Sequence, residues 1–543
     1  MSENALVVRG GRLIDGTGRP PLDNAVIVMR AGRFAAVGRD GEVTIPPGAQ
    51  VIDVAGKTVL PGFIDGHAHL EDFHGELYLH LGITSCVTIE IFQDGPWTLA
   101  QKRGIDSGKI KGPRVWTSGQ AIGGVRTETD APDSRAVRGN ITVETPEEAR
   151  KAIRDKKEQG YDLIKLNEFI SYDLVHAAAD EAHKLGLPVT AHSWDVIESV
   201  KAGVDSIEHI WSVGYSSILD VKRRRQLAKQ RLAGNIEQEL AGSYYEPDNF
   251  DDIIGVMVEH GVAWTPTIAK WLRPLSPSAP RFRERERQIL DNPDADLPAA
   301  VRTIADVAYE KLYKRYTPEQ LDRTKIFYEK ANEFIRRFVA AGGTLKEGSD
   351  PPRGMAGMLL HEALVMDVEA GVPPMTAIQA ATLNVAKTFK KDKDYGSVEP
   401  GKVADLCIIE GDPLKDIWMT QNVKMVIMEG KQVDIGFSKY KNPIPAFYAY
   451  QTLPLDLDIS PLYVVAGSGP TVLKVRGPGM WPFHRVLLNG KPLPTRYVNK
   501  TEIEATIAPE LVATAGTYFV TVKPEGELLP ESHRAHLVVA FPN

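Results

Sequence analysis

Short runs in which apolar and polar residues alternate open the chain: Ala5 to Arg9, Arg12 to Ile14, Ala25 to Met29, Phe34 to Val37 and Val51 to Val54. Alternation with a period of two marks half-buried strands. Gly10-Gly11, Ala31-Gly32 and Pro46-Pro47-Gly48 supply the turns between them. This segment predicts a small β-sandwich. From Thr58 onward each apolar run is followed by a helical pattern. The candidate strands are Val59–Ile64, Ser85–Ile91, Arg114–Ser118, Leu163–Leu166, Val189–His192, Ser206–His209, Ala263–Thr267 and Thr344–Gly348. Thr145-Pro146-Glu147-Glu148 opens one helix with a cap, a proline and acidic first-turn residues, and Ser171 to Leu185 reads as another. Strands alternating with helices predict a parallel barrel or a doubly wound sheet. The (β/α)₈ barrel is preferred because the unusual polar residues fall at strand ends.

Two charge-rich insertions, 215–260 and 270–340, interrupt the repeat, and Arg281 to Arg287 alternates in sign. Their simplest reading is solvated helices. They follow the sixth and seventh strands, so their loops are expected to rise over the face where such barrels do chemistry. After Ala380-Ala381-Thr382-Leu383-Asn384 the strand pattern returns at Gly396 to Gly401, Ala404 to Glu410 and Val423 to Asp434, as the missing half of the first sandwich. A stretch rich in proline and aromatics follows, and then a last all-β segment with a hairpin signal at Asn489-Gly490 and a strand at Gly516 to Val522. The expected division is a composite sandwich from 1–57 plus 390–435, a barrel at 58–389, a linker at 436–455 and a C-terminal sandwich at 456–543.

Composition narrows the function classes. The 543 residues are 43% hydrophobic and 25% charged, an ordinary globular balance that permits a large core. A net charge of -7 argues against a nucleic-acid surface. No apolar stretch approaches the roughly 18 residues of a membrane span. Met-Ser-Glu-Asn-Ala-Leu-Val-Val lacks a charged segment followed by a long apolar one. The expectation is a soluble, cytoplasmic chain, or an exported one if a signal has been trimmed. Cys86 and Cys407 lie in apolar runs and read as packed core thiols.

Among the 13 histidines, His74, His80, His176, His183, His260 and His361 stand in helical or loop contexts without evident partners. His484, His533 and His536 belong to the last sandwich. Four others end strands. His67 and His69 close the first, in Pro61-Gly62-Phe63-Ile64-Asp65-Gly66-His67-Ala68-His69, His192 the fifth and His209 the sixth. Alternation puts His67 and His69 on one face. A lone histidine is usually structural, but four imidazoles at strand ends point to a metal site. Lys165, in Leu163-Ile164-Lys165-Leu166-Asn167, is a lysine at the end of an apolar strand, costly unless its charge is paired or removed. A desolvated, neutral amine can take up carbon dioxide as a carbamate, and its two oxygens can bridge two metals about 3.5–4 Å apart. Asp350 follows the eighth strand in Gly348-Ser349-Asp350-Pro351.

With these residues in place, the sequence resembles the amidohydrolase superfamily over nearly all of residues 5–435. The resemblance rests on the Pro-Gly-Phe-Ile-Asp-Gly-His-Ala-His run and on Gly396-Ser397-Val398-Glu399-Pro400-Gly401-Lys402-Val403-Ala404-Asp405-Leu406. It is strongest toward imidazolonepropionase-like and prolidase-like enzymes. The resemblance implies that His67, His69 and Asp350 hold the more buried of two divalent metals, most simply Zn²⁺. His192 and His209 hold the other, and carboxylated Lys165 bridges them. It implies hydrolysis of an amide or peptide-like C–N bond by a bridging hydroxide, with Asp350 as base. The substrate would be a dipeptide, an Xaa-Pro-like peptide or an N-acyl amino acid. The partners would be this small molecule and other copies of the chain in a homo-oligomer, with neither nucleic acid nor membrane. A mononuclear cyclic-amide hydrolase or deaminase is the alternative, and a catalytically inactive scaffold acting through its C-terminal domain is the non-enzymatic one. Where many relatives read Gly-Gly-His, this chain has Gly123-Gly124-Val125-Arg126. Arg126 and Asn167 are therefore expected at the substrate, with Arg126 clamping a carboxylate. Alternation also turns Asp65 and Lys346 inward on neighbouring strands and predicts an ion pair between them. The C-terminal sandwich resembles the immunoglobulin-like domains called IPT or TIG.

Overall fold

In the first strands, β1 (Leu6–Leu13), β2 (Leu22–Arg30) and β3 (Arg33–Arg39), the alternation becomes a meander whose apolar face is closed by residues 400 positions away. The computed structural model describes residues 5–90, 95–124, 141–168, 170–232, 235–295, 297, 301, 309, 311–351, 353–443, 457–477, 480, 482, 484–499, 501–524 and 535–540. β4 (Gln50–Asp53) and β5 (Lys57–Pro61) pair in parallel with β1. The sheet runs on from β5 into three strands from later in the chain, described below. Val8, Ile27, Phe34, Val59, Leu406, Ile408 and Ile427 form the shared core.

β5 leads through Gly62 into the first of a series of parallel strands: β6 (Phe63–Ala68), β7 (Ile83–Glu90) and β8 (Arg114–Gln120). A second parallel sheet contains β9 (Ile122–Gly124), β10 (Ile141–Val143), β11 (Ile164–Leu166), β12 (Val189–Ala191), β13 (Ser206–Glu208) and β14 (Ala263–Thr265), in the order β10-β9-β11-β12-β13-β14. Backbone bonds link the two sheets, with Asp162 N–H donating to Thr117 O at 2.9 Å. The helix Pro146–Gln159 before β11 starts at a capping box between Thr145 and Glu148 and ends at Gly160 with φ 93, as its sequence signals require.

The expected eighth strand, Thr344–Gly348, makes only one bridge, Leu345 to Trp264. Its peptide groups divide among several partners. Lys346 N–H donates to Trp264 O (2.9 Å), Glu347 N–H to Ala380 O (2.8 Å) and Asp350 N–H to His67 O (2.8 Å), while Gly66 N–H donates to Glu347 O (2.8 Å). The segment thus touches both the seventh and the first strand. Glycine is obligatory at this contact, because a Cβ on Gly348 would lie 2.4 Å from the His67 nitrogen.

The insertions are not simply solvated. The helix Ala279–Leu290 buries Phe282, Glu286, Ile289 and Leu290, and Pro318–Ala340 buries Phe327, Ala331, Phe334, Ile335 and Phe338. These residues recur every three or four positions, so most charges occupy the opposite face, while the buried Glu286 pairs with Arg273. The returning strands β15 (Leu406–Glu410), β16 (Val423–Met428) and β17 (Lys431–Val433) complete the first sheet, with β15 antiparallel to β5. Cys86 and Cys407 are buried and do not form a disulfide.

The chain divides into two compact units, Met1–Asp296 with Ala308–Ile444, and Leu297–Val307 with Pro445–Asn543. In the second unit, sheets of four and five strands enclose an apolar core including Ile459, Leu473, Val475, Val486, Ile503, Val520 and Leu537. Among the described residues no helix is long and apolar enough to cross a membrane.

Candidate metal centre

Polar side chains crowd the C-terminal ends of the parallel strands. His67 on β6 is fully buried, and its Nδ1 lies 2.6 Å from Glu208 Oε2 on β13. His192, just past β12, has Nδ1 2.8 Å from Glu168 Oε2. His209, just past β13, has Nδ1 2.7 Å from Thr267 Oγ1. Each ring thus has one nitrogen held by an oxygen partner and the other turned toward the centre, the arrangement that fixes a metal-binding tautomer. The Nε2 atoms of His192 and His209 face each other at 2.8 Å. His69 Nε2 stands 3.1 Å, and His67 Nε2 3.7 Å, from Asp350 Oδ1.

The fit of a cation can be judged from the atoms left without partners. His67 Nε2 and Lys165 Nζ are buried and make no hydrogen bond. Burying such groups unpaired costs roughly 1–3 kcal/mol each, more when charged. Ligand atoms of His67, His209 and Asp350 all lie within 4.8 Å of one another. The donor set of imidazole nitrogens and carboxylate oxygens suits a divalent transition metal.

The electrostatics agree with ligand duty. Burial pushes His67 down to about 4, against the pull of Asp350 and Glu208, so the ring is neutral and its lone pair is available. Burial likewise drives His192 and His209 well below the usual histidine range. Burial raises Asp350, but the Lys270 ammonium and a hydrogen bond from His69 oppose it, and the carboxyl stays well below its ordinary value. Burial lowers Lys165 to about 8, partly countered by Glu208 and Glu168.

The backbone is bent where these groups converge. His209, Thr267 and Asp350 have φ values of 69, 49 and 44, in the left-handed region that non-glycine residues avoid. Such strain persists where the surroundings enforce it, and it concentrates at functional sites. In an extended strand the neighbours Glu208 and His209 would face opposite ways. The turn at His209 lets both serve one centre.

The Amidohydrolase family model matches residues 58–433, more than half of the chain. The chain belongs to the amidohydrolase family. Among curated relatives, this amidohydrolase is 24% identical to an adenine deaminase of Rubrobacter xylanophilus over 495 residues, 87% of this chain and 63% of that protein. It is also 24% identical to an adenine deaminase of Clostridium botulinum over 463 residues, 82% of this chain and 60% of the relative. It spans less than two thirds of the length of these relatives. Among solved structures it shares its fold with a Xaa-Pro dipeptidase that has methionine bound in the active site (TM-score 0.56, 22% identity, 79% of this chain and 100% of that one). It shares it equally with A. niger ochratoxinase (TM-score 0.55, 19% identity, 81% and 99%).

Of the residues singled out by sequence, His67, His69, His192, His209 and Asp350 come together at the strand ends, and Lys165 lies buried at the middle of β11 with electrostatic influence on His67, His192 and His209. Asn167 is buried just after β11, with its N–H donating to Ile122 O at 2.9 Å. Arg126 falls outside the described residues. The expected pair of Lys346 with Asp65 is not formed. Lys346 Nζ sits 2.8 Å from Glu208 Oε1 and bonds the Thr265 hydroxyl. Asp65 accepts from Ser349 N–H (2.9 Å), the Ser349 hydroxyl and Tyr78 (3.1 Å). Alternation within single strands says nothing of a competing acid from β13. Several histidines set aside as partnerless also have partners: His361 reaches Leu81 O at 2.8 Å and Thr420 Oγ1 at 3.0 Å, and His183 reaches Asp205 at 2.9 Å. Sequence reasoning missed Glu168, Glu208, Thr267 and Lys270. Their signal was position alone, at or just past strand ends.

Proposed function

We propose that this amidohydrolase is a two-metal hydrolase of amide or peptide-like C–N bonds, with a dipeptide or N-acyl amino acid as substrate. The observation that carries this reading is the unpaired, buried Lys165 beside neutral His67, His192 and His209. A mononuclear site has no need of a buried lysine at that strand position. His67, His69 and Asp350 would hold one cation and His192 and His209 the other, with Lys165, as its carbamate, shared between them. When bound, divalent cations such as Zn²⁺ supply an acidified water and polarise the scissile carbonyl. Asp350, kept ionised by Lys270, takes the proton of the attacking water and returns it to the leaving nitrogen. Glu208, Glu168 and Thr267 hold the rings in register for this.

We read the parallel strands as one (β/α)₈ barrel with this centre at its mouth. The composite sandwich would brace β6 from below, and the C-terminal unit would be an immunoglobulin-like module without chemistry of its own. The names of the curated relatives favour a second reading, a deaminase releasing ammonia from a purine-like ring. Metal content of protein purified without chelator, with a screen of N-acyl amino acids, dipeptides and adenine, separates the two. Two ions per chain and release of an amino acid support the proposal. One ion per chain and ammonia from adenine would replace it, and a well-folded protein that takes up no metal would remove both.

A further inference from the structure

Among the described residues, Lys270 is the ammonium that reaches Asp350 and keeps some solvent access. It lies three residues past Thr267 on the short helix Ile268–Leu272, so the Thr267–His209 hydrogen bond fixes its place. Its Nζ stands 2.7 Å from Asp350 Oδ1, and its side chain keeps 13% of its surface exposed. Among the described residues Asp350 is its only carboxylate within ion-pair distance, and that carboxylate is shared. His69 Nε2 lies 3.1 Å, His209 Nδ1 3.4 Å and His67 Nε2 3.7 Å from it. Lys346 offers the contrast. It is fully enclosed, 2.8 Å from Glu208 and bonded to the Thr265 hydroxyl, with no surface left to meet a ligand. Lys270 therefore contacts Asp350 while keeping part of its side chain at the surface.

We propose that Lys270 binds the carboxylate on the leaving-group side of the substrate and so selects acids over their neutral analogues. This rests on the hydrolase reading above, and it follows from where Asp350 delivers its proton. In an N-acyl amino acid or dipeptide the leaving nitrogen carries a carboxylate two bonds away, with about 2.5 Å between nitrogen and carboxyl carbon from standard bond lengths. A group that touches Asp350 is within reach of that carboxylate when Asp350 faces the nitrogen. A charge-assisted hydrogen bond of this kind gives selectivity through binding. Ammonia, the leaving group of a deaminase, carries no such handle.

The test compares the wild type with Lys270→Met and Lys270→Arg, each checked for metal content and melting temperature. The substrates are N-acetyl amino acids and Ala-Xaa dipeptides alongside their C-terminal primary amides. Lys270→Met should collapse the preference for acid over amide roughly 10- to 100-fold, mainly through KM, and Lys270→Arg should restore part of it. Equal losses on acids and amides would overturn the proposal, because Lys270 would then act only through Asp350. An unchanged preference would overturn it as well. If the wild type hydrolyses nothing in the panel, the hydrolase reading fails by itself. Calorimetric binding of the same acids and amides to the purified proteins then decides Lys270. Loss of acid binding alone in Lys270→Met supports the assignment, and acid binding equal to that of the wild type overturns it.

Discussion

The strand ends around His67 and the C-terminal sandwich are built by opposite rules. In the sandwich, Leu473, Val475, Val486, Ile503, Val520 and Leu537 point inward and form a core of aliphatic side chains, with Lys474, Arg476 and Glu504 alternating outward. At the strand ends, His67, Glu208, Lys165, Lys346 and Asp350 are as buried as those leucines and valines. His67 Nε2 and Lys165 Nζ make no hydrogen bond, and three of the residues there sit in left-handed backbone. The first region gains its stability from apolar area. The second forgoes local stability for a set of lone pairs held in place. The lesson is that equal burial carries different meanings: a converging set of imidazoles, an acid and a lysine, rather than depth, marks the chemistry.

Four changes test this contrast, from the largest expected effect to the smallest. Asp350→Asn should leave the metal bound and reduce turnover about 10²- to 10⁴-fold, the range for a lost general base. Steady-state kinetics with metal analysis checks it, and full turnover would remove Asp350 from the mechanism. Lys165→Ala should lose metal and activity together, with partial rescue by a short carboxylic acid. A variant that keeps its metal would end the bridging role. On the other side of the contrast, Leu473→Ala should cost about 2–5 kcal/mol of sandwich stability, as large-to-small core changes do, while metal content stays at the wild-type level. Denaturant melts and metal assay together decide whether that is so.

The smallest effect concerns the acids Glu347 and Asp367, buried side by side near the centre. Burial, reinforced for Glu347 by Asp367, raises both well above the ordinary carboxylate range. Raised acids bind protons more tightly folded than unfolded. Their contribution is therefore fully present below the unfolded value and is lost as pH rises toward the folded one. Glu347→Gln should flatten this loss between about pH 4 and 7, by at most about 1.4 kcal/mol per pH unit for one proton. Melts across that range that keep the wild-type slope would refute it.

Much of the centre was legible because strand alternation and strand ends are sequence properties. His67 and His69 fall on one face by counting, and Asp350 follows a turn spelled Gly348-Ser349-Asp350-Pro351. Glu208 was not legible. Counting opposes it to His209, and only the left-handed turn at His209 brings both inward. Lys346 shows the same limit: its inward direction was readable, while its partner came from across the sheet. The insertion helices read as solvated because their charges dominate composition, although Phe327, Phe334 and Phe338 mark a buried stripe.

By itself, then, the sequence determined the order of strands and helices, the return of the chain from 406 to 433 to the first sheet, and the histidines and acid that meet at the strand ends. These follow from periodicity and turn chemistry, which act over a few residues. Tertiary structure alone decided which oxygen holds each imidazole, which acid neutralises Lys346, and that Lys165 is left unpaired while Lys270 reaches Asp350. Those are distances between side chains far apart in sequence. They are set by packing and desolvation in three dimensions, and no local pattern encodes them.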